Sequence, residues 1–222
     1  MPTTATDIAQ ALVRIPSVNP AYDPESSGEA AVVDWLEGWG RSQDLEPIRQ
    51  PCLENRDNIN FTIRNGDGPH LLFNGHTDTV SVAGMTIDPF SGEIRDDSLW
   101  GRGATDMKGP LAGMLASLLR LRQRDDWHGA LTVSCVVDEE YKYRGILSLL
   151  DANDPWDFAV VGEPTSLRVV RGCKGSCRFT IHTEGRAAHS SEPDKGANAI
   201  VGMARAIPAM AEFFETDLAQ FT

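Results

Sequence analysis

Cysteine is scarce in this chain of 222 residues. Cys52, Cys135, Cys173 and Cys177 form neither a CxxC pair nor the spacing of a disulfide framework. A chain of this size buries enough surface to fold without such staples, so reduced thiols are expected. Cys173 and Cys177, four apart in a segment that reads as a strand, are expected to share one face and pack as small hydrophobes. Long apolar runs are missing as well: none approaches the ~18 residues of a membrane span. Met1 to Ser17 has neither a basic start nor the apolar stretch of a secretory leader, which makes the cytoplasm the expected location. Positive charge is in deficit, with 20 Lys and Arg against 32 Asp and Glu and a formal charge of −12. That field repels phosphate backbones and anionic lipid, so neither nucleic acid nor a membrane is an expected partner. Repeats and low-complexity segments are absent too, which excludes a solenoid.

What is present is a pattern of alternating elements. Ile8, Leu12 and Ile15 keep a helical spacing, and Val32, Trp35, Leu36 and Trp39 repeat it. Pro16, Asn19, Pro20 and Pro24 break the chain between them, and Ser26-Ser27-Gly28-Glu29 supplies a helix start. Asn58 to Ile63 and His70 to Phe73 read as a hairpin or adjacent strands around Asn65-Gly66-Asp67-Gly68. Leu111, Met114, Leu115 and Leu118 define a helix after Gly109-Pro110, and Ile146 to Leu150 part of another. Leu131 to Val137 and Phe158 to Val161 read as buried strands. Strands alternating with helices predict an α/β fold with an open, mixed and largely parallel sheet flanked by helices. After Gly172 the character changes: Cys177 to Thr183 alternates as a half-exposed strand, and Ile200, Met203, Ala204 and Ile207 start a helix interrupted at Pro208, with an apolar stretch on to Phe221. A smaller α+β unit is expected there, giving domains of 1–172 and 173–222.

In such sheets ligands sit beyond the carboxyl ends of the strands, and acids gather there. Leu71-Leu72-Phe73 leads to His76-Thr77-Asp78, where the aspartate stands two residues from the imidazole it would orient. Gly101-Arg102-Gly103-Ala104-Thr105-Asp106 delivers an acid before the third helix, Leu131 to Val137 leads to Asp138-Glu139-Glu140, and Phe158 to Val161 leads to Gly162-Glu163. Singly, these are a core histidine, a helix cap, a solvated loop and a surface acid. Together they crowd carboxylates whose repulsion a cation offsets. Oxygen and nitrogen donors without thiolate suit Zn²⁺, Co²⁺ or Mn²⁺. Adjacent Glu139 and Glu140 point different ways, so one can bind metal while the other moves protons.

His76-Thr-Asp-Thr-Val, Gly101-Arg-Gly-Ala-Thr-Asp-Met-Lys-Gly, Asp138-Glu-Glu and Gly162-Glu-Pro-Thr, in this order and spacing, resemble the di-zinc family of aminoacylases, deacylases and carboxypeptidases. Within it, Val170-Arg171, Lys174-Gly175, His189-Ser-Ser-Glu-Pro and Gly196-Ala-Asn-Ala-Ile are most similar to the acetylornithine deacetylase branch, with the succinyl-diaminopimelate desuccinylases as close relatives. The resemblance implies a zinc-exopeptidase-like sheet and hydrolysis of the amide of an N-acyl amino acid. It implies two Zn²⁺ per site, Co²⁺ being an alternative, with His76 and Glu163 on one metal, Glu140 on the other, Asp106 bridging, and Asp78 orienting His76. Glu139 is implied as the general base, and Asp106-Met107 as a non-proline cis peptide. Residues 173–222 would begin a lid that also forms a homodimer interface, through which His189 stabilises the oxyanion in a second copy.

Family members run further, completing the lid, returning to the catalytic domain and supplying another ligand histidine; the chain is expected to be truncated relative to them. His70, His128 and His182 lie in the wrong places to substitute. Two readings remain: a metallo-amidohydrolase, or a non-catalytic metal-binding remnant of one. An interaction module on a degenerate fold would be expected to have lost Glu139 or Asp106, and both are present.

Overall fold

The computed structural model describes residues 1–152, 155–173, 175 and 178–217, in two compact units, Met1–Val169 and a second from Val170 onward.

The first unit opens with helices α1 (Ala5–Val13) and α2 (Ala30–Ser42), whose apolar stripes bury Ile8, Leu12, Val32, Leu36 and Trp39. Strands β1 (Ile48–Leu53), β2 (Arg56–Asn65) and β3 (His70–His76) follow, then a small hairpin of β4 (Glu93–Arg95) and β5 (Ser98–Trp100). Next come α3 (Gly109–Arg122), β6 (Gly129–Val136), α4 (Arg144–Asp151) and β7 (Phe158–Val161). The main sheet runs β1-β2-β6-β3-β7. β6 is antiparallel to β2 and parallel to β3, β3 is parallel to β7, and β1 is antiparallel to β2, so only β2 runs against the other four. The mixed, largely parallel sheet is therefore as expected.

β6 lies between two strands and all eight of its residues are buried. Leu131, Val133 and Cys135 join the core beneath α1, α2 and α3, where Trp39 meets Phe61 edge-on at 5.6 Å. Val136 faces the other side with Leu72 and Leu149 of α4. Helices on both faces are what a parallel sheet requires to bury its apolar rows.

Several expectations are corrected. β2 and β3 are not neighbours, because β6 lies between them and pairs with both. Gly66 and Gly68, at φ +62° and +155°, carry the chain across the start of β6; a Cβ on Gly68 would stand 2.9 Å from the Gly129 nitrogen. β7 is a strand but not a buried one: it is the sheet edge, and Phe158 and Val161 are 64% and 57% exposed. β1 is hidden in the sequence because Pro51 interrupts its pattern, and its edge position is where a proline is tolerated. The β4-β5 hairpin turns on Asp96 and Asp97, both at positive φ, a conformation that the small polar side chain of Asp permits.

In the second unit α5 (Ala199–Thr216) is capped by Asn198, whose side chain accepts from the Ile200 and Val201 amides. The helix passes through Pro208 without ending there, although the proline removes one intrahelical hydrogen bond. Residues 178–183 form no strand: alternation needs a partner strand, and none pairs with them among the described residues. Cys173 is exposed, not packed, while Lys174, Cys177 and Phe221 lie outside the described residues. Cys52, Cys135 and Cys173 are free thiols. No helix among the described residues is long and apolar enough to cross a membrane.

Candidate metal centre

β3, β6 and β7 run in one direction, with His76 level with Val136 and Asn74 level with Val161. Their carboxyl ends therefore release His76, the 138–140 segment and Glu163 at one edge of the sheet. Asp106 arrives from the side, in the short helical turn Ala104–Lys108, which departs from helical angles at Asp106 (φ −122°, ψ 98°). The Asp106-Met107 peptide is cis. Met107 is wholly buried, and its side chain lies against Gly75 at the end of β3 and Gly162 just after β7, which seats the turn on the strand ends.

His76 is 1% exposed and forms the floor. Its Nδ1 lies 2.9 Å from the main-chain carbonyl of Asp78, a group that only accepts, so Nδ1 carries the proton and Nε2 faces the acids. Nε2 stands 2.9 Å from Asp106 Oδ1, 3.8 Å from Glu163 Oε1 and 3.9 Å from Glu139 Oε2. The Asp78 carboxylate is 3.5 Å from Nδ1 and takes a further part: its oxygens accept from the amides of Glu139 at 3.0 Å and Glu140 at 3.1 Å. Two sets of donor atoms lie within 4.8 Å of one another, His76 with Asp106 and Glu140, and His76 with Glu139 and Glu163. His76, Asp106, Glu139, Glu140 and Glu163 thus meet in one place, although Glu139 rather than Asp106 shares the set with Glu163. His189 belongs to the second unit, where Ser191 N–H donates to its Nδ1 at 3.2 Å. A neutral ring there keeps its proton on Nε2.

The donor set fits a divalent transition metal. In a tetrahedral zinc site with bonds of about 2.0–2.2 Å, adjacent donor atoms are separated by about 3.3–3.6 Å, and the distances from Nε2 straddle that range. The electrostatics agree. Burial alone would lower the His76 pKa, yet Asp106 and Asp78 hold it up to about 11. Burial, partly offset by His76, and repulsion from Asp106 and Glu139 push Glu140 up to about 7. Glu139 and Glu163 are raised for the same reasons. Negative charge is thus in excess, and a proton on His76 stands where a cation would.

A pH dependence follows. Without metal, the acids around His76 hold its proton and burial favours the protonated form of Glu140; both protons must leave for metal to bind, so affinity is expected to fall as pH drops through 7. Loading at pH 7 is expected to release roughly one to two protons, read as the dependence of the binding heat on the buffer's ionisation enthalpy. A heat independent of buffer would remove His76 from the ligand set.

Some supporting residues carried no chemical signal in the sequence. Lys108 is completely buried, its Nζ donating to the Ile15 carbonyl at 2.7 Å, and burial lowers its pKa to about 7. Asn19 reads as a chain breaker and Glu29 as part of a helix start, but Glu29 makes no side-chain cap; it is buried against Arg56. Separation in sequence, 27 residues in that case, conceals such pairs.

A sheet whose carboxyl edge gathers one imidazole and several carboxylates is an α/β architecture with donors placed to hold a metal ion. The model of "Peptidase family M20/M25/M40" matches residues 72–217, and the chain belongs to that family. It is 35% identical over 218 residues to a succinyl-diaminopimelate desuccinylase of Methylorubrum extorquens, covering 91% of this chain and 56% of that one. It is likewise 35% identical over 206 residues to the acetylornithine deacetylase of Proteus mirabilis, covering 89% and 52%. Among solved structures a tripeptidase from Staphylococcus aureus superposes with a TM-score of 0.63 at 20% identity, over 92% of this chain and 55% of that one, which shows a shared fold. The chain spans about half the length of the curated relatives it matches.

Proposed function

We propose that the protein is a metal-dependent hydrolase of N-acyl amino acids, with 1–172 as the metal-binding catalytic domain and 173–222 as part of a lid and homodimerisation domain. The observation that carries this reading is the convergence of Asp106, Glu139 and Glu163 on the buried Nε2 of His76. His76, Asp106, Glu140 and Glu163 hold the metal ions, zinc by the donor set, with Asp78 fixing His76. When bound, such ions supply Lewis acidity, easing ionisation of water and offsetting charge on the amide oxygen. Glu139, its pKa raised by burial and by its acidic neighbours, takes a proton from the attacking water and returns it to the departing amine. In a homodimer the Nε2–H of His189 would serve as the donor to the developing oxyanion in a second copy. The products are a carboxylate and an amino acid.

N-acetyl and N-succinyl substrates stand level, since the two relatives named for them are equally identical to this chain. The test is metal content per chain, with hydrolysis of N-acetylornithine and N-succinyl-diaminopimelate, by the chain alone and mixed with the C-terminal half of a curated relative. Bound metal with turnover of either substrate is expected. One other reading is a metal-binding chain without turnover; metal without hydrolysis in either format would establish that instead.

A further inference from the structure

Asn19 lies in the loop after α1, is fully buried, and is 59 residues from one of its side-chain partners and 119 from the other. The loop is strapped to the segment beyond His76. Ser17 Oγ donates to the Thr77 carbonyl at 2.7 Å, the Thr79 amide to Ser17 at 3.0 Å, and the Asn19 amide to Thr79 at 2.9 Å. The backbone thus delivers the Asn19 side chain to one spot. There Nδ2 donates to Asp78 Oδ2 at 2.7 Å and to Asp138 Oδ1 at 3.0 Å, while Oδ1 accepts from the Ala21 amide at 3.1 Å. One amide group therefore joins two carboxylates that are themselves completely buried.

The consequence lies one bond further on. Asp78, held by Asn19, accepts the main-chain amides of Glu139 and Glu140 through separate oxygens. Asp138, held by the same Asn19, is the residue before them and has positive φ, and Arg144 grips its carboxylate from the other side at 2.6 Å. The pair that meets the metal and the reacting water is thus fastened at both amides and at the preceding side chain, and the fastenings converge on one side chain. We propose that Asn19 is a positioning residue for the Glu139-Glu140 pair, setting the direction in which both carboxylates leave the end of β6. Resting on the hydrolase reading for its catalytic consequence, the proposal extends to residues that touch neither metal nor substrate. An apolar side chain of the same size would leave Asp78 and Asp138 facing one another without the shared donor, and the loop would find other orientations.

The test is Asn19→Leu, read first in the metal-free protein by amide hydrogen exchange. Expected is exchange at Glu139 and Glu140 accelerated at least about 10-fold, with the amides inside β3 and β6 unchanged. Metal affinity, measured by calorimetry, should fall about 10- to 100-fold, and kcat should fall with KM nearly kept. Unchanged exchange at 139 and 140, or acceleration spread evenly over the sheet, would overturn the proposal, the second outcome being mere destabilisation. Should Asn19→Leu not fold, Asn19→Ser, which retains a donor too short to span both acids, carries the same comparison. The two failures are separable: absence of turnover in the parent removes the hydrolase reading and leaves exchange and metal affinity as tests of Asn19, whereas an inert Asn19 leaves parental turnover intact.

Discussion

Glu139→Gln is expected to lower amide hydrolysis by about 10²–10⁴-fold, the range for loss of a general base, with metal content and fold unchanged. Gln keeps the size of the side chain and an oxygen able to accept, but at neutral pH it cannot take a proton from water. Glu140→Gln should behave differently. Its carboxylate lies within ligand distance of His76 and Asp106, so the variant should lose metal first and activity as a consequence. The comparison matters because both neighbours satisfy the geometry: Glu139 also falls in a donor set, with His76 and Glu163. Metal content decides between them. A Glu139→Gln protein that loses metal, beside a Glu140→Gln protein that keeps it, would exchange the two roles. Full activity in both variants would end the general-base reading altogether.

The contrast between these adjacent glutamates illustrates what the sequence made legible. Apolar runs marked β3, β6 and β7, and the rule that ligands gather beyond strand ends directed attention to His76, Asp106, Glu139, Glu140 and Glu163, which the fold brings together. Helical periodicity marked α1, α2 and α3 because their stripes face one core. Strand order was not legible: Asn65-Gly66-Asp67-Gly68 serves a hairpin and a strand-skipping crossing equally well, and only the partner strand, about sixty residues away in the chain, distinguishes them. Burial of β7 was not legible either, since Phe158 to Val161 is as apolar at a sheet edge as it would be in the middle. Least visible was the charged lattice behind the site. Glu29, Arg56, Asp138 and Asn19 come from four separate segments, and nothing in a local window announces that they touch.

That lattice yields the largest expected effect on stability. Arg56→Met should destabilise the protein by about 3–5 kcal/mol, the cost of removing one partner from a buried ion pair, seen as a lowered midpoint of urea unfolding. Arg56 donates to both oxygens of Glu29 and to Asp138, and Glu29 and Asp138 are completely buried. Without the guanidinium, Glu29 keeps the Asp138 amide, at 2.9 Å, and no counter-ion among the described residues. Asp138 keeps Arg144 and Asn19, so the loss centres on Glu29. Two comparisons isolate the cause. Arg49→Met removes an equally well-formed ion pair with Asp34 and Glu37 at a site that water still reaches in part, and should cost less, about 1 kcal/mol. Adding Glu29→Leu to Arg56→Met removes the stranded charge and should recover part of the loss, because the penalty belongs to the unpaired carboxylate rather than to a missing bond. A loss at Arg56 no larger than that at Arg49 would mean that water reaches Glu29 and screens the unpaired carboxylate.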